Sequence, residues 1–345
     1  MDKSKQLLQA FMQNNLKQIN MLLKNGADIN ELYEGSNCLH HACTLNKKDM
    51  VEFLLKEGAD PNVRDSDNRS PLFLYMYNYN GETPNETNLS VFKLLIKYGA
   101  DIFKLFNDNE FDTLRIAITL LGNHRTDGWV SHQNYDNVAV KYKLTKGAMH
   151  YIKPYDESKR DAWGKMVPIK DQKNITSMEL GLSEHANYLR LYDLIMYILD
   201  KNVMDIINTR DLSKEYMPSA CELGVGSIIK KLYEKGADFS FKQQENGMTA
   251  LLSICLGGRV DGLRTFFQLM PKGYDINETN DHGYNAAHIL ADKGGHPKMV
   301  DELRKYGVDF SSKTTKVLGD VPKGSTPSDV AKHWNDYDMA NLLKP

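Results

Sequence analysis

Residues 37–60 read NCLHHACTLNKKDMVEFLLKEGAD, and two signals stand 21 positions apart within them, at Asn37 and Gly58. Asn37 precedes Cys38-Leu39-His40, and a side-chain amide oxygen at that place accepts a free backbone N–H at a helix start. Gly58 follows the apolar run Phe53-Leu54-Leu55. A glycine after such a run closes a helix in the left-handed conformation without a Cβ penalty. Asp60 can then bond the backbone and fix the turn that follows. Between the signals, Ala42 and Cys43 are small enough to let neighbouring helices approach closely. The stretch predicts two short helices and a finger-like turn.

The same pair of signals recurs. Gly-Ala-Asp stands at Gly26–Asp28, Gly58–Asp60, Gly99–Asp101 and Gly236–Asp238, with variants at Gly273-Tyr274-Asp275 and Gly307-Val308-Asp309. Upstream stand the cap signatures Ser70-Pro71-Leu72-Phe73, Asn285-Ala286-Ala287-His288 and Thr326-Pro327-Ser328-Asp329, with degenerate copies from Asp112, Thr176 and Thr249. Proline after the cap suits the first helical residue, whose N–H needs no partner. Glu215 and Gly236 repeat the 21-residue spacing, but Glu215 replaces the capping residue and predicts a weaker helix start. Small residues recur five or six positions after the caps, at Ala117, Ala220, Cys221, Cys255 and Ala331.

These residues resemble the ankyrin-repeat family, whose unit is a turn, an inner helix opening on a T-P-L-H-x-A-like motif, an outer helix and a Gly-Ala-Asp finger. The resemblance implies an all-α fold: an ankyrin-repeat solenoid of stacked helix-turn-helix units with short finger turns, interrupted by a central insertion. Three segments follow: N-terminal repeats over 1–122, an insertion over 123–175 within an interrupted repeat, and C-terminal repeats with a capping half-unit over 176–345. The first helix is expected over Lys5–Gln13, and Asn202 stands where the fifth finger glycine should be. Asparagine tolerates the left-handed backbone better than most residues.

Two interruptions break the register. From Ser70 to Gly99 the separation is 29 positions, and the extra residues fall in Tyr77–Asn85. The second runs from Gly122 to Thr176. That block carries Trp129, Tyr135, Tyr142, Tyr151, Tyr155 and Trp163, with ten basic residues against six acidic ones. Its aromatic content predicts order, because disordered linkers lack such residues, and Asn137–Gly147 reads as a degenerate outer helix.

Composition narrows the function. Lys and Arg number 43 against 45 Asp and Glu, a net charge of −2, so no bulk basic surface exists to bind a phosphate backbone. The longest apolar stretch, near Leu191–Leu199, contains Asp193 and falls short of the ~18 residues of a membrane-spanning helix. The opening Met1-Asp2-Lys3-Ser4-Lys5 has no apolar region of a secretory signal. Cys38, Cys43, Cys221 and Cys255 lack metal-ligand or disulfide spacing and read as reduced packing residues of a cytoplasmic protein. Phosphate-loop, nucleophile-elbow, zinc-helix and EF-hand motifs are absent, so no catalytic residue, cofactor or metal is expected. His40 and His288 match the motif histidine, whose expected task is to bond the turn. His124, His132 and His150 with Asp127 and Asp136 leave an enzyme site within 123–175 as the alternative.

A unit this small cannot bury its apolar face alone, so stability comes from stacking. The surface so built suits a protein partner bound by an adaptor, inhibitor or effector. The resemblance also permits delivery into a host cell by a route without a cleavable signal. The candidate binding residues are Tyr33, Arg64, Arg69 and Tyr284 at the turns, His41 and Tyr77 on inner helices, and Tyr79, Trp129, Tyr135, Tyr155 and Trp163 in the two interruptions. Aromatic and Arg side chains are the favoured anchors of such surfaces. A monomer is expected, with no nucleic-acid partner. In related proteins finger asparagines can be hydroxylated, and Asn30, Asn62 and Asn277 occupy comparable places.

Overall fold

The computed structural model describes residues 3–77, 89–103, 112–123, 155–160, 166–168, 182–201, 203, 210–294 and 296–345, with 122–123, 155–160, 166–168 and 182–190 by backbone alone. They divide into two compact units, 1–194 and 195–345.

The first unit stacks helical hairpins. Helices Lys3–Met12 and Leu16–Lys24 form the first, Cys38–Thr44 and Lys48–Lys56 the second, Pro71–Tyr77 and Ser90–Lys97 the third, and Thr113–Asn123 follows as an inner helix. Inner helices pack against inner helices and outer against outer. Leu39, Ala42, Cys43, Leu54, Leu72, Leu95, Leu114 and Ala117 are completely buried between them. Tyr75 takes a place where the repeat favours a small residue, and it too lies wholly in the core.

The second unit contains four hairpins: Met217–Leu223 with Gly226–Glu234, Ala250–Gly257 with Val260–Leu269, Ala286–Lys293 with Pro297–Lys305, and Pro327–His333 with Tyr337–Leu342. An aromatic seam runs beside its outer helices. Phe239 meets Phe266 edge-on at 4.9 Å, Phe266 meets Tyr274 at 5.2 Å, and Phe267 stacks on Tyr306 at 3.8 Å. Such pairs contribute about 0.5–1.5 kcal/mol each beyond the area they bury.

The caps act as their residue types predict. The side chains of Asn37, Asn285 and Thr326 accept the N–H of the residue three positions on, and that residue's side chain accepts the cap N–H in return. Ser70 and Asp112 accept from Phe73 and Arg115 at 3.1 and 2.9 Å. Between inner and outer helix the chain needs one left-handed residue. Asn14, Asn46 and Asn335 supply it in three hairpins and Gly224, Gly258 and Gly294 in three others.

Two expectations are corrected. The first helix spans Lys3–Met12, because Asn14 at φ 52° ends it earlier. The weak start expected near Glu215 is seen: helix Met217–Leu223 begins at Tyr216 with no side-chain cap, while Asp211 caps a separate turn, Leu212–Glu215, by accepting from Lys214 N–H at 3.2 Å. Where the fifth repeat predicts two short helices, one twenty-residue helix runs Leu182–Lys201. Within the 123–175 block, Tyr155–Arg160 pairs antiparallel with Met166–Pro168; among the described residues the named elements are otherwise helices, and the all-α reading stands. Asn137–Gly147, Asn202 and the Thr176 signature lie outside the described residues.

Candidate functional site

The finger aspartates all perform one task. Oδ1 of Asp28, Asp60, Asp101, Asp238, Asp275 and Asp309 accepts the N–H two residues on, at 2.7–3.0 Å. A second set of bonds joins consecutive fingers. Asn30 Oδ1 accepts from Asp60 N–H at 2.8 Å, Asn62 Oδ1 from Asp101 N–H at 2.6 Å, and Asn277 Oδ1 from Asp309 N–H at 2.7 Å. Asn62 also donates to Gly99 O at 2.9 Å. The three asparagines singled out for modification are thus the rungs of a ladder.

Two histidines fix the turns against the inner helices. His40 Nδ1 accepts from Asn37 N–H at 3.2 Å, which leaves Nε2–H to donate to Val63 O at 3.1 Å. His288 repeats this with Asn285 N–H and Ser325 O. Burial disfavours the charged ring in both. The His40 pKa is lowered, and that of His288 falls to about 4.

On this frame, Tyr33, Arg64 and Arg69 lie in two neighbouring turns, and His41 and Tyr77 on the inner helices that those turns lead into. Tyr33 and Ser36 exchange backbone bonds, and the Ser36 hydroxyl meets His41 Nε2 at 2.8 Å. The His41 ring lies 6.3 Å from Phe11, and Lys5 sits 5.8 Å over Tyr33. The next turn lies alongside, since Ser66 N–H donates to Gly35 O at 2.8 Å. In that turn Arg64 donates to Asn68 O at 3.4 Å. Arg69 reaches Asp65 Oδ2 at 2.8 Å and Asp67 Oδ2 at 2.7 Å, while Asp65 Oδ1 also accepts the N–H of Asp67 and of Arg69. Those bonds make Arg69 a turn clamp. Ser70 then opens the helix that carries Tyr77, which is 55% exposed and stacks on Phe73 at 5.5 Å with 12° between the rings. Phe73 stands where the motif has histidine, so this repeat has in place of a turn bond an aromatic pair of half-buried Phe73 and exposed Tyr77.

Tyr284 is a correction. It is no exposed contact: the residue is completely buried, with its N–H on Asn280 Oδ1 and its ring 5.3 Å from His288. Burial pushes its phenol up to about 12, and the nearby Asp292 carboxylate adds to this. Tyr79, Trp129, Tyr135 and Trp163 lie outside the described residues, as do His124, His132, His150, Asp127 and Asp136; Tyr155 is described by its backbone alone. Among the described residues, no three His, Cys, Asp or Glu side chains stand together as a metal site. The four cysteines are buried free thiols, raised by desolvation well out of the reactive range. No helix of the described residues is long and apolar enough to cross a membrane.

Residues 7–105 and 217–314 match the family model described as "Ankyrin repeats (3 copies)". A fowlpox virus protein named for its ankyrin repeats, FPV031, is 27% identical over 203 residues, covering 55% of this chain and 56% of that protein. Another from the same virus, FPV230, is 47% identical over 53 residues, 15% of this chain and 28% of that protein. The chicken nuclear factor NF-kappa-B p105 subunit is 25% identical over 198 residues, 52% of this chain and 19% of the subunit. The chain thus matches little more than half the length of the first relative and less of the others.

Proposed function

Because the chain belongs to the ankyrin-repeat family, a typically non-enzymatic interaction module, we propose that it binds a protein partner through the inner-helix faces and finger turns of its first unit. The observation that carries this reading is the Phe73–Tyr77 stack, which leaves a large aromatic side chain facing solvent on a rigid helix. Fixed aromatic side chains lose little entropy on association, which makes them efficient anchors. In this reading Tyr33, His41 and Arg64, from the preceding turn and helix and from the turn that leads into the Tyr77 helix, supply the polar rim. The same reading takes the protein as a cytoplasmic monomer acting as adaptor, inhibitor or effector. Its four buried thiols support a reducing compartment.

The test is affinity capture followed by titration of the captured protein, using wild type, Tyr77→Ser, Tyr33→Ser and a folded deletion of 123–175. Tyr77→Ser should weaken binding at least about tenfold, the scale of a hot-spot residue, without lowering the thermal midpoint. Binding that ignores Tyr77 and Tyr33 but vanishes with the deletion would move the site to the insertion.

A further inference from the structure

One finger departs from the rest. Between Gly307 and the capping Thr326 lie 19 positions, against 12 from Gly58 to Ser70 and 12 from Gly273 to Asn285. The added residues fold as a hairpin. Leu318 and Val321 exchange backbone bonds of 3.2 and 3.0 Å around Gly319-Asp320, with Gly319 at φ 57°. At the base, Thr314 N–H donates to Ser325 O at 3.0 Å, and its hydroxyl donates to Pro322 O at 3.1 Å and accepts from Ser325 N–H at 3.1 Å. The N–H groups of Thr315 and Lys316 both donate to His282 O in the preceding finger, at 2.9 and 3.3 Å. Thr314, Val321 and Ser325 are buried, so the arm is held at its base and along one side.

Its charge is uneven. Lys313, Lys316 and Lys323 are exposed and Asp320 is the single acid of the arm, on a chain whose net charge is −2. Lys316 and Lys323 each stand two residues outside the Leu318–Val321 pair, one on either side of the arm. Among the described residues no ion pair engages any of the three lysines. Beside Lys316, Val317 is 60% exposed. A hairpin that served only to close the chain has no need of an unneutralised lysine pair next to a solvent-facing valine.

We propose that this arm is a docking site for an acidic peptide segment of a partner protein. Carboxylates bridge Lys316 and Lys323, and an apolar side chain of the segment covers Val317. A single apolar residue gives a bilayer too little to bury, and the arm has no aromatic side chain on which a nucleic-acid base could stack. The inference rests on the protein-binding reading above but uses residues of the second unit, so the two are tested by different variants.

The probe is a fluorescein-labelled peptide, Asp-Glu-Asp-Leu-Glu-Asp-Glu, titrated with the full chain by fluorescence anisotropy at low and physiological ionic strength. Lys316→Glu combined with Lys323→Glu should weaken binding at least about tenfold, and a Lys-substituted peptide should then bind the variant instead. Lys17→Glu combined with Lys24→Glu, the control on another exposed lysine pair, should leave affinity unchanged. Lys316→Glu alone should leave the thermal midpoint unchanged, since the exposed side chain has no ion pair to lose. Equal affinity for both double variants would overturn the proposal. So would tighter Lys316- and Lys323-dependent binding to phosphatidylserine vesicles or duplex DNA. If the arm fails this test while Tyr77→Ser still loses its captured partner, the protein-binding reading stands and the arm does not.

Discussion

Gly262, in the first turn of helix Val260–Leu269, lies against the backbone of Gly224, the left-handed residue that ends helix Met217–Leu223. A Cβ on Gly262 would come within 2.8 Å of the Gly224 carbonyl carbon and 2.9 Å of its Cα, and closer still to its oxygen. Gly226 approaches Asp261 O in the same way, while its N–H donates to Asp261 Oδ2 at 3.1 Å. Two adjacent inter-helix loops therefore touch main chain to main chain.

Alanine in place of a helical glycine ordinarily stabilises by up to about 1 kcal/mol. At Gly262 the opposing atoms are backbone and cannot rotate away, so an overpacking cost of about 1–3 kcal/mol should win. Gly262→Ala is expected to lower the urea midpoint. A variant as stable as wild type would show that the two loops can part freely.

His288 makes stability depend on pH. The folded ring titrates at about 4, against 6.5 for an unperturbed histidine, so the unfolded chain takes up the proton first as pH falls. The stabilisation by the neutral ring is complete above pH 6.5 and is lost as pH drops toward 4. The difference corresponds to about 3 kcal/mol over that window. Urea unfolding at intervals from pH 7.5 to 4.5 should show His288→Gln starting less stable and falling less steeply. Parallel curves for the two proteins would refute the assignment.

Asn62 makes both rungs between its finger and the next, one accepting from Asp101 N–H and one donating to Gly99 O. Each bond of this kind contributes about 0.5–1.5 kcal/mol net. Asn62→Ala should cost about 1–2 kcal/mol and raise hydrogen exchange at Asp101 above that of its neighbours. Unchanged protection there would mean that the rung does not persist in solution.

Arg69 and Tyr77 were both expected to bind, and the structure gives Arg69 a task within its own turn. Arg69→Ala strips the carboxylate of Asp65, nearly fully buried, of its guanidinium. The loss should be about 1–3 kcal/mol, since Asp65 keeps two backbone donors. Tyr77→Ala should move the thermal midpoint by less than about 2 °C, because a mostly exposed side chain has little packing to lose. Equal destabilisation by the two changes would contradict this division.

The repeat was legible because its signals are local. A capping side chain, a small residue in the helix and a terminal glycine each act within a few positions, and each recurred. Features that depend on a neighbouring element were not legible. Asp211 caps an extra turn ahead of the uncapped helix Met217–Leu223, and nothing in the 21-residue spacing points to it. Tyr284 sits at a turn position that is commonly open, yet the surrounding residues enclose it. The arm at 313–324 appears in the sequence only as excess length, since its pairing depends on Thr314 and on the carbonyl of His282. One missed signal was within reach: an Asn or Gly after each inner helix, at Asn14, Asn46, Gly224, Gly258, Gly294 and Asn335, marks the left-handed residue between the paired helices. Of the candidate site, the neighbouring placement of the Tyr33 and Arg64 turns was legible because corresponding turns of a repeat lie side by side.

Each rung asparagine grips the main-chain amide of the following finger and ignores what that finger's side chains are. Most substitutions at a fingertip therefore leave the mechanical link intact, with proline at the gripped position the obvious exception. Such a scaffold can exchange its outward-facing chemistry piecemeal, acquiring new targets while its internal fastening stays the same.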